Sequence, residues 1–141
     1  MKKIATAITI FLGISMFMFG ILKFIDPFKT WYTTQIIQSE LPFPFISYWS
    51  GQLSEIAVGL ALILTLFPSI FKSRNQIRAL FFVGNILIIP MMLTAIYVHM
   101  HPGVPESVLP LKIRPPFIPG LFLLLACINI YLGQRTLKNS S

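Results

Sequence analysis

The stretch IATAITIFLGISMFMFGILKFI, residues 4–25, decides the fold class of this chain. It contains 22 residues, and Lys23 is its one charged residue. As an α-helix it would measure about 33 Å, at about 1.5 Å per residue, which is enough to cross a bilayer. It is longer than the apolar core of a typical signal peptide, and no small-x-small cleavage pattern lies directly before Lys23. We therefore expect a retained transmembrane helix.

Three further apolar runs follow, at residues 53–71, 79–98 and 117–132. Pro90 lies inside the third run and should kink it, whereas Pro119 lies in the first turn of the fourth, where proline is tolerated. With 55% hydrophobic and only 11% charged residues, the composition excludes a soluble domain with a polar shell. The sequence predicts one membrane domain, residues 1–141, folded as an all-α bundle of four transmembrane helices.

The basic residues predict the orientation of this bundle, because lysine and arginine are enriched in cytoplasmic segments. With the amino terminus inside, all four acids fall on the outer side, and the cytoplasmic segments hold seven of the eleven basic residues, namely Lys2, Lys3, Lys72, Arg74, Arg78, Arg135 and Lys138. Both termini are therefore predicted to be cytoplasmic. We expect an integral, multi-pass protein in contact with the lipid bilayer, located in the cytoplasmic (inner) membrane if the chain is bacterial.

Charge and cysteine content exclude two classes of function. The net charge is +7, but the basic residues form short clusters at the ends of apolar runs and no dense basic face, so we expect no nucleic-acid partner. Cys127 is the one cysteine, which excludes an intramolecular disulfide, a Cys-x-x-Cys redox pair and a thiolate metal cage.

Two long connectors are predicted on the outer side. The first, residues 26–52, is a long, aromatic-rich external loop that should lie on the membrane, with a short interfacial helix at residues 27–37. The second, residues 97–120, holds both histidines and six of the eleven prolines. Its prolines should stiffen it into a lid over the outer mouth of the bundle, which suits either a ligand or a protein partner.

Four residues at the outer side form a candidate polar site. Lys23 and Glu55 lie near the outer ends of the first two spans, at similar depth, and paired ionisable groups in spanning segments often mark function. Alternatively, Lys23 snorkels to the interface and Glu55 is favoured by the helix dipole. His99 and His101 share this rim, but their spacing points them about 200° apart on a helix, so we predict no metal site.

Several motifs resemble those of the DoxX-like family of small four-span membrane proteins. They are FGILKF at the end of the first span, DPFKTWYTTQI after it, GQLSEIAVGLAL in the second, and HMHPGVPESVLPLKIRPPFIPG before the last. Gly20, Lys23, Glu55 and Gly59 match the family pattern. The resemblance implies a membrane subunit linked to quinone-coupled sulfur oxidation or to oxidative-stress complexes. Paired cysteines used for disulfide chemistry by wider relatives are absent from this sequence.

Three functions are compatible with these features. The favoured hypothesis is an accessory or scaffold subunit of a redox-linked membrane complex, without independent activity, that docks a membrane or extracytoplasmic protein through its outer loops. The first alternative is an oxidoreductase component that binds a quinone near the polar site. The second is a small transporter with Glu55 as its proton-coupled residue. The sequence does not identify catalytic residues and establishes no cofactor; quinone is the cofactor that the first alternative would bind.

Overall fold

The computed structural model describes the backbone of residues 2–138 and the side chains of residues 3–135. All regular structure in this part of the chain is helical. There are five α-helices: α1 (Lys2–Leu22), α2 (Phe28–Gln38), α3 (Pro44–Leu64), α4 (Arg74–Met100) and α5 (Phe117–Lys138). Single 3₁₀ turns lie at Pro68–Ile70, Glu106–Val108 and Pro110–Lys112.

Three of these helices, α1, α4 and α5, are long and apolar enough to cross a membrane, over Lys3–Leu22, Arg74–Met100 and Phe117–Arg135. This result confirms the prediction of a membrane protein with transmembrane helices. Helix α3 has the same length as α1, 21 residues, but between its start and its middle it carries Ser47, Ser50, Gln52, Ser54 and Glu55. These polar residues lower its hydropathy, so the fourth span stays a prediction.

Helix α3 does not coincide with the second apolar run, residues 53–71. Helix α3 begins at Pro44, nine residues before the predicted start at 53, because a proline is favourable in a first helical turn. It ends at Leu64, since Pro68 opens a separate 3₁₀ turn before residue 71. The expected loop at residues 26–52 is therefore largely helical, and α2 confirms the short helix predicted at residues 27–37.

The four long helices form a ring in which each packs against two others, in the order α1, α3, α4, α5. Contact between α1 and α3 is the most extensive, and it is antiparallel, because Gly13 faces Ile63 and Gly20 faces Ile56. A Cβ on Gly20 would come within 2.6 Å of Ile56 Cγ1, so only glycine allows this approach. Close backbone contact is typical of helices that pack through small residues in membranes.

One apolar core connects all four long helices: it consists of the buried residues Leu12, Met16, Val58, Leu62, Ile88, Met92, Phe122 and Ala126. The outer surface is also apolar. Val83, Leu93 and Leu124, for example, are each more than half exposed. Large apolar side chains on both the inside and the outside are expected of helices that contact lipid.

A buried polar network joins three helices at the end of the bundle opposite α2. Asn129 Nδ2 of α5 donates to Thr9 Oγ1 of α1 and to Asn85 Oδ1 of α4, both at 3.0 Å. Asn85 Nδ2 in turn donates to the carbonyl oxygen of Phe81 at 2.8 Å. All three network side chains are fully or almost fully buried. The network therefore fixes how α1, α4 and α5 sit against one another.

Candidate functional site

Lys23 and Glu55 form an ion pair between the end of α1 and the middle of α3. The distance from Lys23 Nζ to Glu55 Oε1 is 2.6 Å, and the side chains are 17% and 15% exposed, respectively. Of the two interpretations that the sequence left open, a pair or a snorkelling lysine, the structure shows the pair. It depends on the close packing of α1 and α3, in which Gly20 and Gly59 bring the two backbones together.

Tyr32 of α2 completes this polar cluster. Its ring lies 4.0 Å from Lys23 Nζ, in a cation–π contact, and its hydroxyl donates to the carbonyl oxygen of Tyr48 at 3.1 Å. A Cβ at Gly51 would collide with that hydroxyl, so the glycine makes room for it. Burial, and secondarily the Glu55 charge, raises the pKa of the Tyr32 phenol. Tyr32 therefore stays protonated at neutral pH and serves as a hydrogen-bond donor.

The cluster forms part of the wall of a cavity of about 720 Å³. All five α-helices and the connectors contribute to it. Its apolar wall includes Met16, Met91, Met92, Ile118 and Phe122, and its polar side chains include Lys23, Glu55, Tyr32, Gln35, His99, Ser47, Ser50, Ser54 and Thr94. Its volume lies in the range of about 300–1,000 Å³ that is usual for small-molecule sites.

The two histidines have different surroundings. His99 is 4% exposed and lines the cavity, and its Nδ1 atom is buried without a hydrogen-bond partner. His101 does not line the cavity; its Nδ1 accepts from the backbone N–H of Gly103 at 3.2 Å, and its ring packs on Tyr97. The structure therefore places His99 with Lys23 and Glu55 but separates His101 from them. Among the described side chains, no three potential metal ligands come together.

Helix α2 and the connector after α4 cover one end of the cavity. The Gln35 side-chain amide of α2 donates to the carbonyl oxygen of Val108, and Tyr97 of α4 donates to that of Ser39 at 3.1 Å. Within the connector, Arg114 donates to the carbonyl oxygens of His101 and Val104 and pairs with Glu106, while Val98, Val104 and Leu109 are buried together. The proline-rich segment, residues 97–120, thus has a defined fold and covers this end of the cavity.

Three polar residues of this region were missed by sequence reasoning. Tyr32 and Gln35 are three residues apart on α2, but this spacing alone does not tell which way α2 faces. Gln52 is fully buried, and neither of its side-chain polar atoms has a partner. Its position three residues before Glu55 places both on one side of α3, which was the available signal.

The charged side chains that line the cavity have opposite signs and no net charge. Lys23 and Glu55 are the lining residues with charged side chains, and they neutralise each other. The remaining polar groups are hydroxyls, an amide and an imidazole, which donate or accept hydrogen bonds without carrying charge at neutral pH. This set can hold an uncharged polar group at one end of an otherwise apolar molecule.

Comparison with protein-family models, with curated proteins and with solved structures finds no match for this chain. The resemblance to the DoxX-like family therefore stays a prediction.

Proposed function

We propose that this membrane protein binds one uncharged, lipid-soluble small molecule in the cavity beside α2. The observation that carries the proposal is a largely apolar cavity of about 720 Å³ in which the charges of Lys23 and Glu55 are already paired. Pockets that are mainly apolar and contain a few convergent polar groups are the usual form of a small-molecule site.

The charge balance favours an uncharged ligand. An anion or a cation in this cavity would lose its hydration without gaining a free counter-ion, which is energetically costly. A carbonyl or hydroxyl group avoids this cost: a hydroxyl can donate to His99 Nδ1, and a carbonyl can accept from the serine hydroxyls of α3. A quinone belongs to this class, so an oxidoreductase component that binds a quinone is the specific form of the proposal.

The architecture that goes with this function is a bundle of four spans with both termini cytoplasmic. Two observations support α3 as the fourth span. It packs antiparallel to α1 from Gly13 to Gly20, and Glu55, its one charged residue, is paired with Lys23. Helix α2 then lies at the outer interface, and the distribution of lysine and arginine supports this orientation.

An accessory subunit of a membrane complex, as in the DoxX-like resemblance, is the second candidate. The start of α3 favours it, because Phe43, its N-cap, and Phe45, in its first turn, are 74% and 76% exposed beside the cover of the cavity. Large exposed aromatic side chains at the end of a bundle can anchor a protein partner.

Native mass spectrometry of the protein released from its own membrane tests the proposal. We expect a retained small-molecule mass in the wild type and its loss in Ala95→Trp, which fills the cavity, and in Glu55→Gln, which removes the charge that balances Lys23. Leu93→Trp is the matched control, because Leu93 is exposed on the same helix and does not line the cavity. Retention of the same small molecule in all variants would contradict the site, and a retained polypeptide alone would favour the accessory subunit.

A further inference from the structure

We propose that the ligand enters this cavity sideways from the bilayer, between α3 and α4, and that it is a membrane-resident amphiphile with an uncharged head group. This inference rests on the proposed function and adds the source of the ligand and its route. It requires that the cavity open at a depth where lipid, and not water, surrounds the helices.

The cavity reaches the protein surface along two facing helices. Ser50 of α3 and Pro90 and Thr94 of α4 line the cavity and are also exposed. The loops next to these helices continue the rim, because Pro42, Pro110 and Leu111 line the cavity and are exposed too. Most of the exposed lining residues therefore follow one strip, between the first half of α3 and the second half of α4.

The depth of this strip places it in the hydrocarbon. Helix α4 is long and apolar enough to cross a membrane, and Pro90 lies ten residues before its last residue, Met100. At about 1.5 Å per residue, Pro90 is about 15 Å below the end of the helix. An opening that extends this far along a membrane-crossing helix faces acyl chains, so an apolar tail can pass through it without meeting water.

Behind the opening, the cavity wall carries a row of polar side chains that can hydrogen-bond to the head group. Ser47, Ser50 and Ser54 are spaced three and four residues apart, so they share one face of α3, and all three line the cavity. Farther inside, the buried His99 has an unpartnered Nδ1 on the cavity wall. A hydroxyl or carbonyl head can exchange hydrogen bonds along this face while its tail remains in apolar surroundings.

The two loops at the outer end of the opening have unusual backbones. The non-glycine residues with positive φ in the described chain are Glu40, Phe43, Leu111 and Lys112, with φ between 51° and 58°. All four lie in the loops that contribute Leu41, Pro42, Pro110 and Leu111 to the cavity. Such conformations are strained for residues other than glycine, and they cluster at ligand clamps. Two of the four, Phe43 and Leu111, are apolar and more than 70% exposed, which suits a rim that touches lipid.

Photolabelling in vesicles tests this route. The probe is a long-chain alcohol with a diazirine in its tail, supplied in phosphatidylcholine vesicles that contain the full-length protein. After irradiation, mass spectrometry measures labelling of Ile118 and Phe122, which line the cavity, relative to Leu121 and Leu124, which are exposed on the same helix. We expect the cavity residues to be labelled in the wild type.

Thr94→Trp should close the opening and lower this labelling ratio at least about tenfold, because a tryptophan fills the space that the probe must cross. Ser50→Trp should close the same opening from α3, and it replaces Thr94→Trp in the experiment if Thr94→Trp does not fold. Leu93→Trp, beside Thr94 but outside the cavity, should leave the ratio unchanged.

Other outcomes would overturn the proposal. Phe19 and Phe28 also line the cavity and are exposed, on α1 and α2. Loss of labelling in Phe19→Trp, together with an unchanged ratio in Thr94→Trp, would assign the entrance to that side. Cavity labelling by a short, water-soluble alcohol alone would assign an aqueous route. Absence of cavity labelling by any alcohol, with no small-molecule mass in native spectra, would contradict the proposed function itself.

Discussion

At the residue scale, the site is organised by one charge pair that is largely withdrawn from water. Lys23 contacts both the carboxylate of Glu55 and the ring of Tyr32, so its ammonium group has an ionic and an aromatic partner. Glu55 Oε2 is buried without a partner, which makes the carboxylate dependent on Lys23 for compensation. Burying either charge without the other would therefore cost free energy of folding.

Lys23→Met should therefore destabilise the protein by about 3 kcal/mol, because it leaves a carboxylate without a counter-ion in an apolar setting. The double variant Lys23→Met/Glu55→Leu should recover most of this loss, since neither charge remains. Thermal or denaturant unfolding in detergent micelles measures both effects. Additive losses in the double variant would show that the two side chains are energetically independent.

The sequence could place Lys23 and Glu55 at similar depth, because each lies near the outer end of an apolar run and depth follows from position in the run. It could not predict that the two side chains touch, that Tyr32 joins them, or which of the two histidines, His99 or His101, lines the cavity. Their roles depend on the rotation of α2 and α3 and on the turn at Gly103, which are set by tertiary packing and not by hydropathy.

At the element scale, the interface between α1 and α3 carries the site, and it depends on glycine. A side chain at Gly59 would collide with the backbone of Phe17, which belongs to a helix and cannot move aside cheaply. Gly120, in the first turn of α5, has open space around its α-carbon. The two glycines therefore allow a matched comparison.

Gly59→Ala should destabilise the protein by about 2 kcal/mol, because overpacking forces α1 and α3 apart. Gly120→Ala should change stability by no more than about 0.5 kcal/mol, as is usual for a surface substitution. Unfolding in detergent measures both variants, and equal effects would contradict the tight interface. Since the ion pair spans the same interface, Gly59→Ala should also reduce retention of the ligand.

The existence of the long helices was more predictable than their ends. Apolar runs indicated four of them, but the start of α3 at Pro44 lies in a segment rich in polar and aromatic residues. That segment becomes helical because Tyr48 and Gly51 pack against Tyr32 and Gln52 is buried. These contacts with α2 and within the bundle override the weak local hydropathy pattern.

At the scale of the whole molecule, the proposed topology places α2 and the proline-rich connector on one side of the membrane and the turn after α3 on the other. Lys29, Lys112 and Arg74 are exposed residues in these three places. Labelling from each side of the membrane therefore reports whether α3 and α4 both cross.

In a Cys127→Ser background, Lys29→Cys and Lys112→Cys should react with a membrane-impermeant maleimide in intact cells. Arg74→Cys should react only after the membrane is opened, because the basic segment near it is expected to be cytoplasmic. Gel-shift or mass-spectrometric detection of the adduct measures each reaction. Labelling of Lys29→Cys and Arg74→Cys from the same side would show that α3 does not cross.

The buried network of Asn129, Thr9 and Asn85 gives the bundle two unlike ends. At that end, three helices are tied together by hydrogen bonds, and Leu62 of α3 packs directly against Gly84 of α4. At the other end, the same helices part around a cavity. The helices should therefore stay together at the end that holds the network, and they should be able to separate at the end that holds the cavity. The rate at which the cavity end opens would then be set by Asn129, which does not line the cavity and so does not touch the ligand.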